Sequence, residues 1–247
     1  MSQWLYFPSG AGVPPLDEIT NGHSIEMIGS QSIQSVNYGN IADFGIADPR
    51  LFSFYFKTPS HANILTVFAK VNVAGHGYGI GLVSPGYLAY FVGDVFFRTI
   101  LIAVGTTTLY NDNVWHQGVV IDDGSGDPNN FKLIVDGVLD TTVLYNNNPP
   151  VPDSYVKTTD DLLVGKLGVT SIYGWKGLLD EMSIWPGVYT QDEIDKIISP
   201  TPRDLSQHSR FSDMVLWSRF ENNYQDSSSK GNHGVVTGSP IFNTDVP

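Results

Sequence analysis

The sequence predicts an all-β protein, an antiparallel β-sandwich of jelly-roll type with one short helix on its C-terminal side at about 190–199. Three observations lead there. Apolar side chains recur with a period of two: Phe52, Phe54 and Phe56 alternate with Ser53, Tyr55 and Lys57, the pattern of a strand with one face in a core. Turn signals such as Ser84-Pro85-Gly86 and Asp136-Gly137 break the chain at short intervals. The chain has 247 residues, 41% of them hydrophobic, enough for one large core. The expected layout is an arm over 1–15 and a single sandwich over 16–247, with 214–242 as a C-terminal strand and loop completing it.

In chain order, strands are expected at 24–28, 33–37, 52–57, 64–71, 87–92, 95–103, 117–121, 131–135, 162–165, 178–185 and 214–220. The acidic stretch 122–130 reads as a solvated hairpin turn, because it lacks the terminal Glu of an EF-hand loop. Gly75, Gly77, Gly79 and Gly81 alternate with His76, Tyr78, Ile80 and Leu82. As a strand this stretch would present a bare face to a ligand, but a mobile glycine loop between hairpins is the preferred reading. Thr190-Gln191-Asp192-Glu193 forms a capping box, and Ile194, Ile197 and Ile198 make one apolar stripe behind it before Pro200 ends the helix. The segment 199–213 reads as a linker.

The formal net charge is −12, which repels phosphate backbones and disfavours nucleic acid and anionic membranes as partners. No apolar run is long enough to cross a bilayer, so no membrane insertion is expected. Cysteine is absent, so there is neither a disulfide framework nor a thiolate metal site. The opening residues lack a basic region followed by an apolar one and do not read as a Sec-type signal peptide.

The segment 162–199, LLVGKLGVTSIYGWKGLLDEMSIWPGVYTQDEIDKIIS, resembles the closing part of laminin-G-like domains of the concanavalin A-like lectin/glucanase type. The resemblance is carried by Gly165, Trp175, Gly177, Leu179, Asp180, Glu181 and the helix start at Thr190. Trp115-His116-Gln117 with the hairpin at 131–138, and the aromatic strand SFYFKTPS at 53–60, agree with it in order. One departure stands out. LWSRFENNYQDSSSKGNHG, which usually opens such domains, lies here at 216–234. The favoured reading is a first strand moved to the chain's end.

The resemblance includes glucanases, which need two carboxylates converging on one bond. Asp180 and Glu181 are adjacent on an expected strand, where successive side chains point to opposite faces, so they are not expected to form such a pair. No catalytic role is therefore assigned. By the same alternation Asp180 shares a face with Leu178, Met182 and Ile184, and a carboxylate turned to the apolar side must be satisfied. Two readings stand side by side: a structural Ca²⁺ site shared with Asp226 and Asn223, which the resemblance implies, or an Asp capped by backbone amides. Tyr173, Trp175 and Tyr110 are the candidate aromatic platforms for a sugar ring, with Trp175 also placed to cover the core edge.

The function these features imply is a non-enzymatic, lectin-like adhesion module that recognises a cell-surface glycan. Its expected setting is the virion surface, as a tail, fibre or capsid-decoration protein made in the host cytoplasm. There it would contact other virion subunits as a homo-oligomer, with residues 4–15 as a docking arm. The alternatives are a purely structural virion protein and an accessory domain of a glycosidase.

Overall fold

A computed structural model describes residues 14–29, 34–61, 63–94, 101–146, 151–168 and 173–247. Of the expected arm at residues 1–15, residues 1–13 lie outside them. In chain order the strands are β1 (Ser24–Ile28), β2 (Ser35–Asn37), β3 (Arg50–Lys57), β4 (Leu65–Val71), β5 (His76–Val83), β6 (Tyr87–Asp94), β7 (Leu101–Leu109) and β8 (His116–Asp122). They continue with β9 (Lys132–Val135), β10 (Val138–Leu139), β11 (Thr142–Asn146), β12 (Leu162–Val164), β13 (Lys176–Pro186), β14 (Leu216–Ser218), β15 (Val235–Thr237) and β16 (Ile241–Asn243). Helix α1 (Gln191–Ile197) follows β13. The expected strand at 95–103 lies partly outside the described residues; β6 runs to Asp94 and β7 begins at Leu101.

The strands form two antiparallel sheets. The first has the order β10-β9-β8-β3-β13-β1-β16, with β14 also on β13; the second has β11-β7-β6-β5-β4-β12-β2-β15. Their inner faces share one apolar core. Phe52, Phe54 and Phe56 of β3 meet Phe68, Tyr78 and Tyr90 of the opposite sheet there, as the alternation requires. Phe52 and Phe68 have ring centroids 4.9 Å apart.

A polar group crosses this core at Arg50. Arg50, fully buried, donates to Asp122 Oδ2 at 2.6 Å, to the Tyr90 hydroxyl at 2.8 Å and to the Gly45 carbonyl at 2.8 Å. Tyr90 in turn donates to Asp122 Oδ2 at 2.8 Å, and the guanidinium lies 5.0 Å from the Tyr78 ring centroid. Every polar atom of the triad therefore has a partner, which a charge out of water requires.

The outer faces are also apolar. On the first sheet Leu51, Val119, Ile134 and Trp185 pack under Ile194 and Ile197 of α1, with Leu205, Met214 and Trp217 beside them. Thr190 accepts from the Glu193 amide and Glu193 closes the box back to Thr190, so the helix begins where the sequence places it. The expected linker at 199–213 is instead a packed connection. It contains two short 3-10 turns, and Leu205 and His208 are buried.

The glycine stretch is also a correction: it forms β5, paired on both sides with β4 and β6. A Cβ at Gly77 would stand 1.9 Å from the Lys70 carbonyl, and one at Gly81 2.2 Å from that of Leu65. Close backbone approach, not mobility, therefore requires glycine here. Gly79 falls in a cross-strand row with Ala69, Phe91 and Ala103 on the outer face of the second sheet.

The C-terminal segment reaches both sheets. β14 pairs with β13, β15 with β2 and β16 with β1. Leu216 and Phe220 point into the core while Trp217 joins the outer cluster on the first sheet. Asp245 fixes the end of the chain, accepting from Lys57 Nζ at 2.6 Å and Trp115 Nε1 at 2.8 Å.

Two outcomes are expected. Asp122→Ala leaves the Arg50 charge buried without its partner and lowers unfolding free energy by roughly 3–5 kcal/mol in denaturant titration; a loss below about 1 kcal/mol would remove the triad's structural role. Truncation at Pro200 removes three strands and exposes core side chains, so the 1–200 fragment is expected in the insoluble fraction; a soluble fragment with native near-ultraviolet dichroism would refute this.

Candidate functional site

The Asp180-Glu181 pair sits at a bulge in β13. Asp180 pairs with Tyr55 and Ser183 with Ser53, so the register shifts between them, and Glu181 takes a left-handed backbone conformation with φ of 45°. The shift overturns the expected facing. Leu179 opposes Phe56 and points into the core, which turns Asp180 with Tyr55 to the outer face, away from Met182 and Ile184. Glu181 lies on that same outer side, because its carboxylate meets Trp217 and Arg219 there. Alternation therefore does not separate the two carboxylates; the bulge brings them together.

Burial keeps this pair from working as an open acid pair. Asp180 is 0% exposed and Glu181 4%. Asp180 accepts from Asn21 Nδ2 at 2.8 Å and from the Glu181 amide at 2.8 Å. Glu181 accepts from Trp217 Nε1 at 2.7 Å and Arg219 Nε at 3.0 Å. Glu221 adds a third carboxylate close by, taking the Gly22 amide at 2.9 Å and standing 3.9 Å from Arg219. Burial, and then the charge of Glu181, pushes the Asp180 carboxyl well above its ordinary range. Burial likewise raises Glu181 to about 7, against the lowering effect of Arg219.

The expected cation site was to join Asp180 to Asp226 and Asn223, and each of these side chains is engaged by groups of the chain itself. Asp226 Oδ1 accepts from the amides of Trp217 at 2.9 Å and Ser228 at 2.8 Å. Its Oδ2 accepts from Ser228 Oγ at 2.7 Å and the Asn232 amide at 2.8 Å. Four donors occupy the lone pairs a cation would need. Asn223 is likewise engaged, accepting the Gln225 amide at 2.9 Å and donating to the Glu221 carbonyl at 2.7 Å. Among the described residues, no group of three or more His, Cys, Asp or Glu side chains is arranged to hold a metal. Asp226 organises the 222–234 loop by hydrogen bonds, while Asp180, the residue for which capping was the alternative reading, accepts from one backbone amide and the Asn21 side chain.

The three aromatic candidates part company. Trp175 is 1% exposed and edge-on to Phe56 at 6.2 Å, and among the described residues its buried Nε1 has no hydrogen-bond partner. Tyr110 is buried edge-on against His116 at 5.1 Å, its hydroxyl 3.4 Å from Asp140 Oδ2. Neither offers a ring face to a sugar, which corrects the expectation for both. Tyr173 is only half-buried; it packs on the outer cluster of the second sheet with Phe91, Leu101 and Leu167, and its carbonyl accepts from the Thr66 amide at 3.2 Å. The triad Arg50-Asp122-Tyr90 was not foreseen as a group, because its members lie far apart in the chain. Arg50 just before the Phe52 alternation was the available signal.

Two antiparallel sheets over one core, with helix α1 laid on one outer face, define a lectin-type jelly roll. Residues 52–195 match a laminin G model of the concanavalin A-like lectin/glucanases superfamily, and the chain belongs to that superfamily. No curated protein matches the sequence. Among solved structures, the chain is similar to a putative carbohydrate binding protein from Bacteroides ovatus, with TM-score 0.60 and 10% identity over 92% of this chain and 60% of that one. It is also similar to a heptameric SAP-like pentraxin from Limulus polyphemus, with TM-score 0.56 and 13% identity over 91% of this chain and 95% of that one. The chain thus spans 60% of the length of the Bacteroides protein. At these identities the likeness is one of fold.

Replacing Asp226 with Ala strands several donors at once and is expected to cost roughly 3 kcal/mol of stability, while EDTA leaves the melting temperature of the wild-type protein unchanged. A chelator-induced fall in that temperature would restore a cation to the site.

Proposed function

We propose that this protein is a non-catalytic carbohydrate-binding module that recognises a cell-surface glycan, displayed in several copies on a virion surface. The observation that carries the reading is the state of Asp180 and Glu181. In a superfamily that includes glucanases, the paired carboxylates of this chain are buried and bonded to its own Asn21, Trp217 and Arg219, with no face left for a scissile bond. Binding is the activity left to such a sandwich. The similar Bacteroides fold, described as carbohydrate binding, supports the same reading. Tyr173, half-buried on the outer cluster of the second sheet, is the side chain we assign to the sugar.

A second reading, a subunit that assembles without binding glycan, is favoured by the edge strands β16 of the first sheet and β15 of the second. Val235 on β15 and Ile241 on β16 are exposed by 69% and 57%, and apolar edges of this kind suit contact with another subunit.

Glycan arrays probed with the assembled protein separate the two. The expected outcome is a signal that Tyr173→Ala reduces by about ten-fold or more, in line with the loss of one stacking ring amplified by avidity. Absence of any glycan signal from a multimeric preparation would leave the assembly reading standing.

A further inference from the structure

His116 opens β8 and is nearly buried between three elements. Its ring lies 5.5 Å from the Phe56 ring of β3 and 5.1 Å from Tyr110. Nδ1 stands 2.7 Å from Asp136 Oδ2 in the turn between β9 and β10. Nε2 stands 3.1 Å from Asp112 Oδ1 in the loop between β7 and β8. A neutral imidazole has one N–H and one lone pair, so it can satisfy only one carboxylate. Two carboxylates against two ring nitrogens select the imidazolium, with both nitrogens donating.

Each carboxylate also holds backbone. Asp112 Oδ1 accepts the Val114 amide at 3.0 Å, and Asp136 Oδ1 accepts the Gln117 amide at 2.9 Å. The Asn113 amide is bonded to the Thr58 carbonyl at 2.9 Å. Trp115, between Asp112 and the histidine's strand, anchors Asp245 near the chain's end.

We infer that His116 is a proton-operated latch: charged, it clamps the 110–115 loop to the turn between β9 and β10, and losing its proton frees that loop and slackens the Trp115 anchor of the C-terminal tail. The ionisable groups facing it are Asp112 and Tyr110 from the loop and Asp136 from the turn; β3 presents Phe56, and Lys57 beyond it is paired with Asp245. Asp140 lies behind Tyr110.

Burial lowers the affinity of His116 for its proton, but the hydrogen bonds to Asp136 and Asp112 outweigh that, and the net displacement is above the ordinary 6.5. A histidine raised in this way contributes stability that is complete below its unfolded-state value. That stability is lost as pH rises through the folded-state value. The latch is therefore shut below the ordinary histidine range and opens as pH rises through the raised folded-state value.

The test uses the full-length protein. The ring of His116 is titrated by NMR, and amide hydrogen exchange at Asn113, Gln117 and Asp245 is followed across the same pH range after correction for intrinsic rates. The expected result is a His116 pKa above 6.5 and exchange at Asn113 and Gln117 that accelerates about ten-fold or more through it, the consequence of one lost charge-assisted hydrogen bond. His116→Gln abolishes that pH dependence. Asp112→Asn, which keeps the side-chain oxygen that accepts the Val114 amide, moves the transition to lower pH and serves if the first variant does not fold. A His116 that titrates at or below 6.5, or a loop whose corrected exchange ignores pH, overturns the latch. So does an Asp112→Asn protein with an unmoved transition.

Discussion

The Arg50 guanidinium lies between the sheets, where it meets Asp122 of β8 and Tyr90 of β6 in the same few ångströms. β8 belongs to one sheet and β6 to the other, so the triad is a fixed point in the sliding of one layer over the other. Apolar contacts alone tolerate small slips, because they are not directional. A charge that loses its bonds by such a slip is stranded out of water, and that cost sets the relative position of the layers. Phe44, Phe52 and Tyr78 pack around this point, and the 41–48 loop is drawn in by the Gly45 carbonyl.

The bulge at Glu181 is the second constraint. By turning Asp180 and Glu181 to one side, it lets a single outer pocket collect Asn21 from the segment before β1 and Trp217 and Arg219 from β14 and the residue after it. The carboxylates bind the two ends of the chain to the centre of the first sheet. A motif that invites comparison with hydrolytic acid pairs is here a structural joint.

Much of the architecture is legible in residue patterns. The Phe52-Phe54-Phe56 alternation, the capping box at Thr190 and the strand at 214–220 follow from side-chain periodicity and local hydrogen bonding. β5 was not legible, because glycine carries no hydrophobic pattern and its requirement comes from the backbones of Lys70 and Leu65 across the sheet. The facing of Asp180 was hidden for a related reason: a bulge changes parity without a mark of its own in the sequence. Of the candidate site residues, Tyr110 looks like a surface aromatic in isolation, and only the packing of His116 against it shows otherwise, whereas the burial of Trp175 against Phe56 follows its placement at the core edge. β15 and β16, three residues each, are too short for periodicity to announce.

The position of β14, β15 and β16 has a consequence for how the chain reaches its native state on the ribosome. Ser24, at the start of β1, is bonded to the carbonyl of Asp245, 221 residues later. Strands synthesised early must wait for partners made up to 221 residues later. Until then β1 and β2 have free edges and the core lacks Leu216 and Phe220. Pairings so distant in sequence close slowly, because the entropy of the intervening chain is spent before the contacts form. The sandwich therefore completes only once residues 214–245 are available to it, and its exposure to aggregation is concentrated in the interval before then.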